Sequence, residues 1–143
     1  MIEMKFIPIA LLAPLALAGA APASAEEPTH GEAELAEMLE GRIAGEPVDC
    51  LSESQRDSIQ IVDGTAIVFR DGDTLWVNRP SGAQFLSRGD LPVFHQFSSQ
   101  LCRLDQVELR DRLGSGTIPG PRLALGDFVP YTEADDKDSA KGG

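Results

Sequence analysis

Apolar and polar residues alternate over short runs between Ser58 and Asn78, in the segment SIQIVDGTAIVFRDGDTLWVN. Two Asp-Gly pairs, Asp63-Gly64 and Asp71-Gly72, separate these runs. An Asp-Gly pair between apolar runs is typical of a two-residue hairpin loop, because a type I′ turn needs a positive φ at both central residues. The pattern therefore predicts three antiparallel strands joined by two tight turns.

Side chains on a strand point alternately to its two faces, so the turn assignment also predicts which residues share a face. One face carries Ile59, Ile61, Ala66, Val68, Leu75 and Val77. The opposite face carries Gln60, Thr65, Ile67, Phe69, Thr74 and Trp76. A bulged loop at either turn would exchange the two faces of the strand beyond it.

The opposite face contains three large apolar residues, Ile67, Phe69 and Trp76, and is too apolar to remain in water. A curled sheet, a helix or a partner protein should cover it. These three residues are therefore the predicted binding residues, and they are the reason for expecting an interaction module.

Before the strands, apolar residues recur with the helical period while acidic residues occupy the other faces. The apolar positions are Leu35, Met38, Leu39 and Ile43. Thr29 and Glu32 fit a capping box, and Gly45 with Pro47 would end the helix. The pattern predicts a helix from about His30 to Ala44 that docks on the sheet and is one candidate to cover its apolar face.

The rest of the chain is predicted to form short strands separated by turns. These strands are Pro47–Leu51, Ala83–Leu86, Leu91–Phe97, Leu101–Arg110 and, with a kink at Gly126, Arg122–Tyr131. Pro92 places one of them at a sheet edge, because proline cannot donate a ladder hydrogen bond. From Thr132 onward the polar and charged composition predicts a disordered acidic tail.

The first 25 residues have the pattern of a signal peptide. Met1–Lys5 contains one cation, Phe6–Ala20 is apolar, and Ala23-Ser24-Ala25 forms a small-x-small cleavage site. Prolines interrupt the apolar run, which disfavours the alternative of an uncleaved membrane anchor. The predicted regions are a signal peptide at 1–25, a helix at 26–45, a β domain at 46–131 and a tail at 132–143. The predicted location is the periplasm or the outside of the cell, with no membrane span after cleavage.

The formal net charge of the chain is −11. Such a charge opposes binding to nucleic acid and to anionic membranes, whose affinity comes from lysine and arginine. We therefore predict no nucleic-acid partner. Solubility is the simpler interpretation of the charge, and attraction to a basic partner is the alternative.

Cys50 and Cys102 are the two cysteines of the chain. In an exported protein they indicate one disulfide, which would contribute roughly 4 kcal/mol by closing a loop of about 50 residues. The alternative, a reactive thiol, is disfavoured because neither cysteine lies in a Cys-x-x-Cys motif.

His95 is the single histidine of the predicted β domain, and a hydrolase using it with a nearby Asp or Ser is one alternative function. A triad is recognised by geometry, however, and no motif for a nucleophile, a metal or a phosphate accompanies His95. The sequence therefore predicts no catalytic residue, no metal site and no cofactor. A further alternative is a cationic patch of Arg70, Arg79, Arg88 and Arg103, unless these pair with Asp71, Asp73, Asp90 and Asp105.

Five motifs occur in order along the chain: GEPVDC at 45–50, IVDGTAIVF at 61–69, TLWVNRP at 74–80, SQLC at 99–102 and LGDFVPY at 125–131. In these motifs the chain resembles a family of small exported proteins of unknown function from proteobacteria, sphingomonad-like ones among them. The resemblance covers roughly residues 39–131. It implies a signal peptide, a disulfide pair and a small β domain, but no activity, and the acidic tail departs from it.

The expected fold is mainly β, a small curled antiparallel sheet or partly open barrel with one N-terminal helix and one disulfide. A two-layer α+β arrangement is the alternative. The expected function is a non-catalytic binding or interaction module of the cell envelope, with an envelope protein as its candidate partner. The alternatives are the hydrolase using His95 and an inhibitor of a basic enzyme that attacks the envelope, such as lysozyme.

Overall fold

The structure, a computed structural model, describes Gly19, residues 27–114 and residues 118–134. These residues form one α-helix, α1 (His30–Met38), and ten strands. The strands are β1 (Arg42–Ala44), β2 (Cys50–Leu51), β3 (Ser58–Val62), β4 (Ala66–Asp71), β5 (Thr74–Asn78), β6 (Asp90–His95), β7 (Leu101–Cys102), β8 (Gln106–Asp111), β9 (Arg122–Ala124) and β10 (Phe128–Glu133). The predicted mainly β fold with one helix is confirmed. The predicted signal peptide, apart from Gly19, and residues 135–143 of the predicted tail lie outside the described residues.

The strands pair antiparallel in three sheets. A five-stranded sheet has the order β1-β10-β5-β4-β3, a three-stranded sheet has the order β6-β8-β9, and β2 pairs with β7. Because none of these sheets closes on itself, the described part of the chain is not a barrel. Pro92 lies in β6 at the edge of the three-stranded sheet, where the sequence predicts it.

The β4–β5 hairpin has a two-residue loop, one position later than predicted. Asp71 pairs with Thr74, so the loop consists of Gly72 and Asp73. Gly72 has a φ of 54°, which glycine adopts without strain. The partner of each residue moves by two positions, and the predicted faces of β4 and β5 therefore stay the same.

The β3–β4 hairpin differs more from its prediction, because its loop has three residues instead of two. Val62 lies opposite Ala66, and Asp63, Gly64 and Thr65 form the loop. One extra residue exchanges the faces of a strand. Ile59 and Ile61 of β3 therefore share a face with their partners Phe69 and Ile67 rather than with Ala66 and Val68, and the predicted face of β3 is wrong.

Both faces of the five-stranded sheet are covered. On one face α1 packs on a cluster of buried residues, Leu35, Val62, Ala66, Val68, Leu75 and Val77. On the other face the two smaller sheets contribute to a larger core of Leu51, Ile61, Ile67, Phe69, Trp76, Leu86, Leu101, Val107, Leu109, Leu123, Leu125 and Phe128. The rest of the β domain therefore covers Ile67, Phe69 and Trp76, and the helix covers the opposite face.

The helix begins where the sequence predicts and ends earlier. The Thr29 hydroxyl accepts the backbone N–H of Glu32 at 3.3 Å, which caps the first turn. The helix ends at Met38, and Gly41, with a φ of 74°, allows the chain to turn. Residues 42–44, predicted to be helical, instead form β1 beside β10.

Three other predictions are corrected. Ala83–Phe85 forms a 3₁₀ turn rather than a strand. The predicted strand 101–110 is divided into β7 and β8 by a turn in which Leu104 has a φ of 72°. The predicted kinked strand 122–131 consists of β9 and β10, which belong to different sheets.

The predicted tail begins too early. Thr132 and Glu133 belong to β10, where they pair with Ile43 and Arg42 of β1. The Arg42 guanidinium also lies 3.6 Å from the Glu133 carboxylate. Polar residues can occupy an edge pairing because one side of the strand remains in water.

The predicted disulfide is present. Cys50 and Cys102 are directly opposite on β2 and β7, with a Cα–Cα distance of 4.0 Å and a sequence separation of 52 residues. The bridge therefore joins β2, which precedes the strands β3, β4 and β5, to β7, which follows them.

Candidate functional site

The predicted binding residues lie in the core. Ile67 and Phe69 are fully buried and Trp76 is 8% exposed. The Trp76 Nε1–H is buried and has no acceptor within the described residues. These side chains form no binding surface, so the prediction that they bind a partner is corrected: they stabilise the packing of the sheets.

A cleft of about 340 Å³ opens where β6 begins and β8 ends. It is lined by Phe85, Asp90, Leu109, Asp111, Gly114, Ile118, Pro119, Gly120 and Pro121. The volume lies at the lower end of the range for small-molecule sites, which is about 300–1,000 Å³. The lining is mainly apolar, with two carboxylates.

The segment after β8 forms one wall of this cleft by packing closely on the strand. A Cβ on Gly120 would lie 1.7 Å from the Leu109 carbonyl oxygen, so only glycine fits at this contact. Next to it, the Leu109 N–H donates to the Pro121 carbonyl at 3.0 Å. Phe85 and Ile118 are 58% and 81% exposed, so large apolar side chains of the cleft are open to water.

Asp90 and Asp111 supply the charge of the cleft, and they lie directly opposite on β6 and β8. Burial, and then the nearby Asp111 charge, raise the pKa of Asp90 above its ordinary value of 3.8. Asp111 accepts the backbone N–H of Leu113 at 2.8 Å. No protein group of the described residues donates a hydrogen bond to the Asp90 carboxylate. A positive charge placed in the cleft would favour the ionised form of Asp90 and so oppose the rise in its pKa.

A second groove of about 230 Å³ shares Asp90 with the cleft. It is lined by Ile59, Gln60, Ile61, Arg88, Asp90, Pro92 and Arg112. These residues come from β3 and β6, each an edge strand of its sheet, and from neighbouring loops. The groove and the cleft therefore adjoin each other at Asp90.

The cleft residues Asp90, Leu109 and Asp111 lie on one face of the three-stranded sheet. The other face carries a second polar arrangement, the Glu108 cluster, formed by His95, Glu108, Arg110 and Arg122. The Glu108 side chain is 1% exposed. Its carboxylate accepts Arg110 Nε at 2.8 Å and Arg122 Nε at 3.2 Å, and His95 Nε2 lies 3.1 Å from Oε2. The Arg110 hydrogen bond lowers the pKa of Glu108 below its ordinary value of 4.5, against the opposing effect of burial.

The position of His95 gives limited support to the hydrolase hypothesis. His95 has an acidic partner in Glu108, but it lines neither the cleft nor the groove. Among the described residues, no hydroxyl or thiol lies within hydrogen-bond distance of the imidazole. Nucleophilic catalysis requires such a contact between the base and the nucleophile.

Three of the four arginines of the alternative cationic patch are in ion pairs, as the favoured interpretation of the sequence expects. Arg79 donates to Glu32 at 2.6 and 3.1 Å, Arg88 pairs with Glu34 and Asp63, and Arg103 pairs with Asp127 at 3.3 Å. These carboxylates are not the ones predicted as partners. Arg88 lies in the turn before β6, and its two ion pairs connect that turn to α1 and to the β3–β4 loop.

The sequence contained a signal for parts of both sites. In QVELRD, at 106–111, the apolar residues Val107 and Leu109 alternate with the polar residues Gln106, Glu108 and Arg110, which predicts one buried and one polar face. The partners on β6 and β9 could not be predicted, because they depend on the register between strands that are distant in sequence.

Comparison with protein-family models, with curated proteins and with solved structures finds no match to this chain. Within the described residues, no helix is long and apolar enough to cross a membrane. The same residues contain no group of three or more side chains placed to hold a metal ion.

Proposed function

We propose that this protein is a non-catalytic binding module of the cell envelope, and that its ligand is an apolar molecule with a positively charged group. The cleft with Asp90 and Asp111 is the observation that carries the proposal. Its apolar walls would gain from covering a hydrophobic group. The Asp90 carboxylate, to which no described residue donates a hydrogen bond, would gain from a cation. A basic side chain of an envelope protein, flanked by apolar residues, would also satisfy this description.

The proposed location is the periplasm or the exterior of the cell. The disulfide is typical of proteins that fold in an oxidising compartment. The predicted signal peptide and the resemblance to small exported proteobacterial proteins support the same proposal. Fractionation of cells that produce the full chain, with mass measurement of the product, would test cleavage after Ala25.

The ligand class can be tested by titrating the oxidised protein with 4-phenylbutylamine, 4-phenylbutanol and 4-phenylbutyrate, observed by amide NMR. These probes share the apolar group and differ in charge. We expect the amine to shift the amides of Asp90, Leu109 and Asp111, the alcohol to bind more weakly, and the acid to bind least. Equal affinity for the amine and the alcohol would contradict the role of the carboxylates.

Variants make the same test specific to the cleft. Asp90→Asn should weaken binding of the amine by about tenfold, the usual scale for losing one charged hydrogen-bond partner. Asp73→Asn is the matched control, because Asp73 lies in the exposed β4–β5 loop and outside the cleft. If both variants bind the amine as the wild type does, the ligand does not use the cleft.

Inhibition of a basic enzyme remains a second candidate, which the net charge of −11 and the acidic cleft both favour. Lysozyme activity in the presence of excess protein measures it directly. We expect inhibition that disappears in Asp90→Asn and at high salt. Full lysozyme activity with the wild-type protein would rule this candidate out.

A further inference from the structure

The groove beside Asp90 is bounded by strands from the edges of two sheets. Its lining includes Ile59 and Ile61 of β3 and Pro92 of β6. Since β3 ends the five-stranded sheet and β6 ends the three-stranded sheet, each strand has one edge without a neighbouring strand within the described residues. We propose that the groove binds an extended peptide segment of a partner protein, which adds to β3 as a further strand and places an acidic side chain next to Arg112. This peptide is a different occupant from the ligand of the cleft.

The backbone of β3 directs unpaired groups toward this free edge. The Val62 carbonyl accepts the Thr65 N–H at 3.1 Å across the β3–β4 loop, so Val62 directs its backbone groups to the side of β4. Because the backbone groups of successive strand residues point to opposite edges, those of Ile59 and Ile61 point away from β4. Outside the strand ladders, no backbone group of the described residues bonds to them. These two residues therefore leave N–H donors and C=O acceptors open to another chain.

The edge of β6 contributes a further acceptor. The Leu109 N–H donates to the Pro121 carbonyl, on the side of β9, so it does not bond to Pro92, which lies opposite Leu109 on β6. By the same alternation, the Pro92 carbonyl points to the free edge. An extended chain repeats its donors and acceptors every two residues, about 6.8 Å apart, which is also the spacing of Ile59 and Ile61. Unpaired strand edges pair readily with such a chain, and a small molecule does not have this repeat.

The apolar side chains of the groove favour a peptide with apolar residues at alternate positions. Ile59 is 41% exposed, although Ile61 beside it is 7% exposed. A strand added to β3 would place every second side chain on the same face as these two isoleucines. Apolar side chains at those positions would remove Ile59 from water.

The charged side chains of the groove favour an acidic residue in the peptide. Arg88 is already paired with Glu34 and Asp63. Arg112 is exposed, and no carboxylate of the described residues pairs with it. Asp90, the one acidic residue of the lining, is half-buried and would favour a basic peptide instead. Because Arg112 is the more exposed of the two, we expect it to determine the preferred charge.

Hydrogen exchange of the oxidised protein, followed by amide NMR, tests strand addition directly. The probe is the heptapeptide Thr-Val-Thr-Ile-Glu-Val-Thr with blocked termini, because main-chain hydrogen bonds give the affinity in strand addition. At millimolar peptide, we expect the amides of Ile59 and Ile61 to exchange at least tenfold more slowly. The amide of Gln60, which faces β4, should change much less. An N-methylated form of the peptide, which lacks the backbone donors, should give no protection.

Three results of this experiment would overturn the proposal. The first is no protection of Ile59 and Ile61, or equal protection by the N-methylated peptide. The second is protection that appears without peptide and grows with protein concentration, which would identify a second copy of this chain as the occupant. The third is a set of shifts confined to Leu109 and Asp111, which would place the peptide in the cleft. Because the cleft and the groove report through different amides, the failure of one proposal is distinguishable from the failure of the other.

Peptides with glutamine or lysine in place of the glutamate test the charge preference. We expect the glutamate peptide to bind about two- to fivefold more tightly than the lysine peptide, the usual scale for an exposed ion pair. Arg112→Gln should remove this preference. Arg70→Gln is the matched control, since Arg70 is also exposed, has no ion-pair partner within the described residues and lies outside the groove.

Circular dichroism confirms the folding of both variants, in which only an exposed side chain changes. Tightest binding of the lysine peptide would show that Asp90 sets the preference, and would overturn the acidic class of partner. An equal preference for glutamate in Arg112→Gln and in Arg70→Gln would overturn the role of Arg112.

Discussion

Two buried polar side chains, Asn78 and Glu108, are satisfied by contacts that the sequence does not reveal. Asn78 is fully buried at the end of β5, where its Nδ2 donates to the Gly126 carbonyl at 2.7 Å and its Oδ1 accepts the Gly126 N–H at 3.0 Å. The side-chain amide of Asn78 thus both donates to and accepts from the backbone of Gly126. Glu108 is satisfied instead by side chains of three strands, His95 of β6, Arg110 of β8 and Arg122 of β9. Buried groups of this kind are costly when one partner is removed.

Glu108 should make the stability of the protein depend on pH at the acid side. Its pKa is lowered in the folded state, so the folded protein binds a proton less readily than the unfolded chain does. The stabilisation is therefore present above the ordinary value of 4.5 and is lost as the pH falls through the lowered pKa. Urea unfolding of wild type and Glu108→Gln across this range measures it. We expect the variant to be less stable at neutral pH and the difference to shrink in acid.

The control for this pH series is Glu46→Gln, at an exposed glutamate that forms no ion pair within the described residues. The free energy of unfolding of Glu46→Gln should equal that of the wild type at every pH. Because Glu32 also has a lowered pKa, through its hydrogen bond with Arg79, some acid dependence should persist in Glu108→Gln. If the difference in the free energy of unfolding between Glu108→Gln and the wild type stays constant as the pH falls, the carboxylate charge is not the cause of the lost stability.

At the scale of elements, the docking of α1 depends on the absence of a side chain at Gly31. A Cβ at this position would lie 2.1 Å from both the Asp63 carbonyl oxygen and the Thr65 Oγ1. The helix therefore approaches the three-residue loop of the β3–β4 hairpin closely. From there, Leu35 reaches the buried face of the sheet.

Gly31→Ala should destabilise the protein by about 1–3 kcal/mol, because overpacking shifts the helix from the loop. Helix propensity alone favours alanine over glycine by about 1 kcal/mol, so the sign of the effect distinguishes docking from propensity. Gly89→Ala is the matched control, since the nearest atom to its Cβ would be the Ser87 Oγ at 3.6 Å. Urea unfolding measures both variants. A Gly31→Ala protein as stable as wild type would contradict the close contact.

At the scale of the whole molecule, the disulfide and the β10 strand hold distant parts of the chain together. The disulfide pairs β2 with β7 across 52 residues, and β10 enters the five-stranded sheet between β1 and β5. Long-range pairing of this kind loses much chain entropy on folding. A covalent link that restricts the unfolded chain offsets part of that loss.

Replacing both Cys50 and Cys102 with alanine should lower the free energy of unfolding by about 4 kcal/mol, from the loop-closure entropy. That is a large part of the 5–15 kcal/mol typical of a domain. Urea unfolding with and without a reductant measures the effect. Reduction should destabilise the wild type by a similar amount and leave the double variant unchanged. A wild type whose stability is insensitive to complete reduction would contradict this role.

The local sequence was sufficient for features that neighbouring residues control. Thr29 caps α1, the two Asp-Gly pairs mark the hairpins, and Pro92 marks an edge strand, because each effect acts within a few residues. The pairing of Cys50 with Cys102 also followed from the sequence, since two cysteines allow one intramolecular bridge. The mainly β class could be predicted for the same local reasons.

The tertiary structure decided everything that depends on register or on packing between distant segments. One extra loop residue, Thr65, exchanged the faces of β3, and the second layer of strands buried Trp76, which the sequence had suggested as a binding residue. The pairing of β6 with β8 set Asp90 opposite Asp111 and brought His95 to Glu108. The physical reason is that turns, caps and alternation are determined by short-range sterics and hydrogen bonds, whereas both candidate sites are formed by strands that meet only when the whole chain packs.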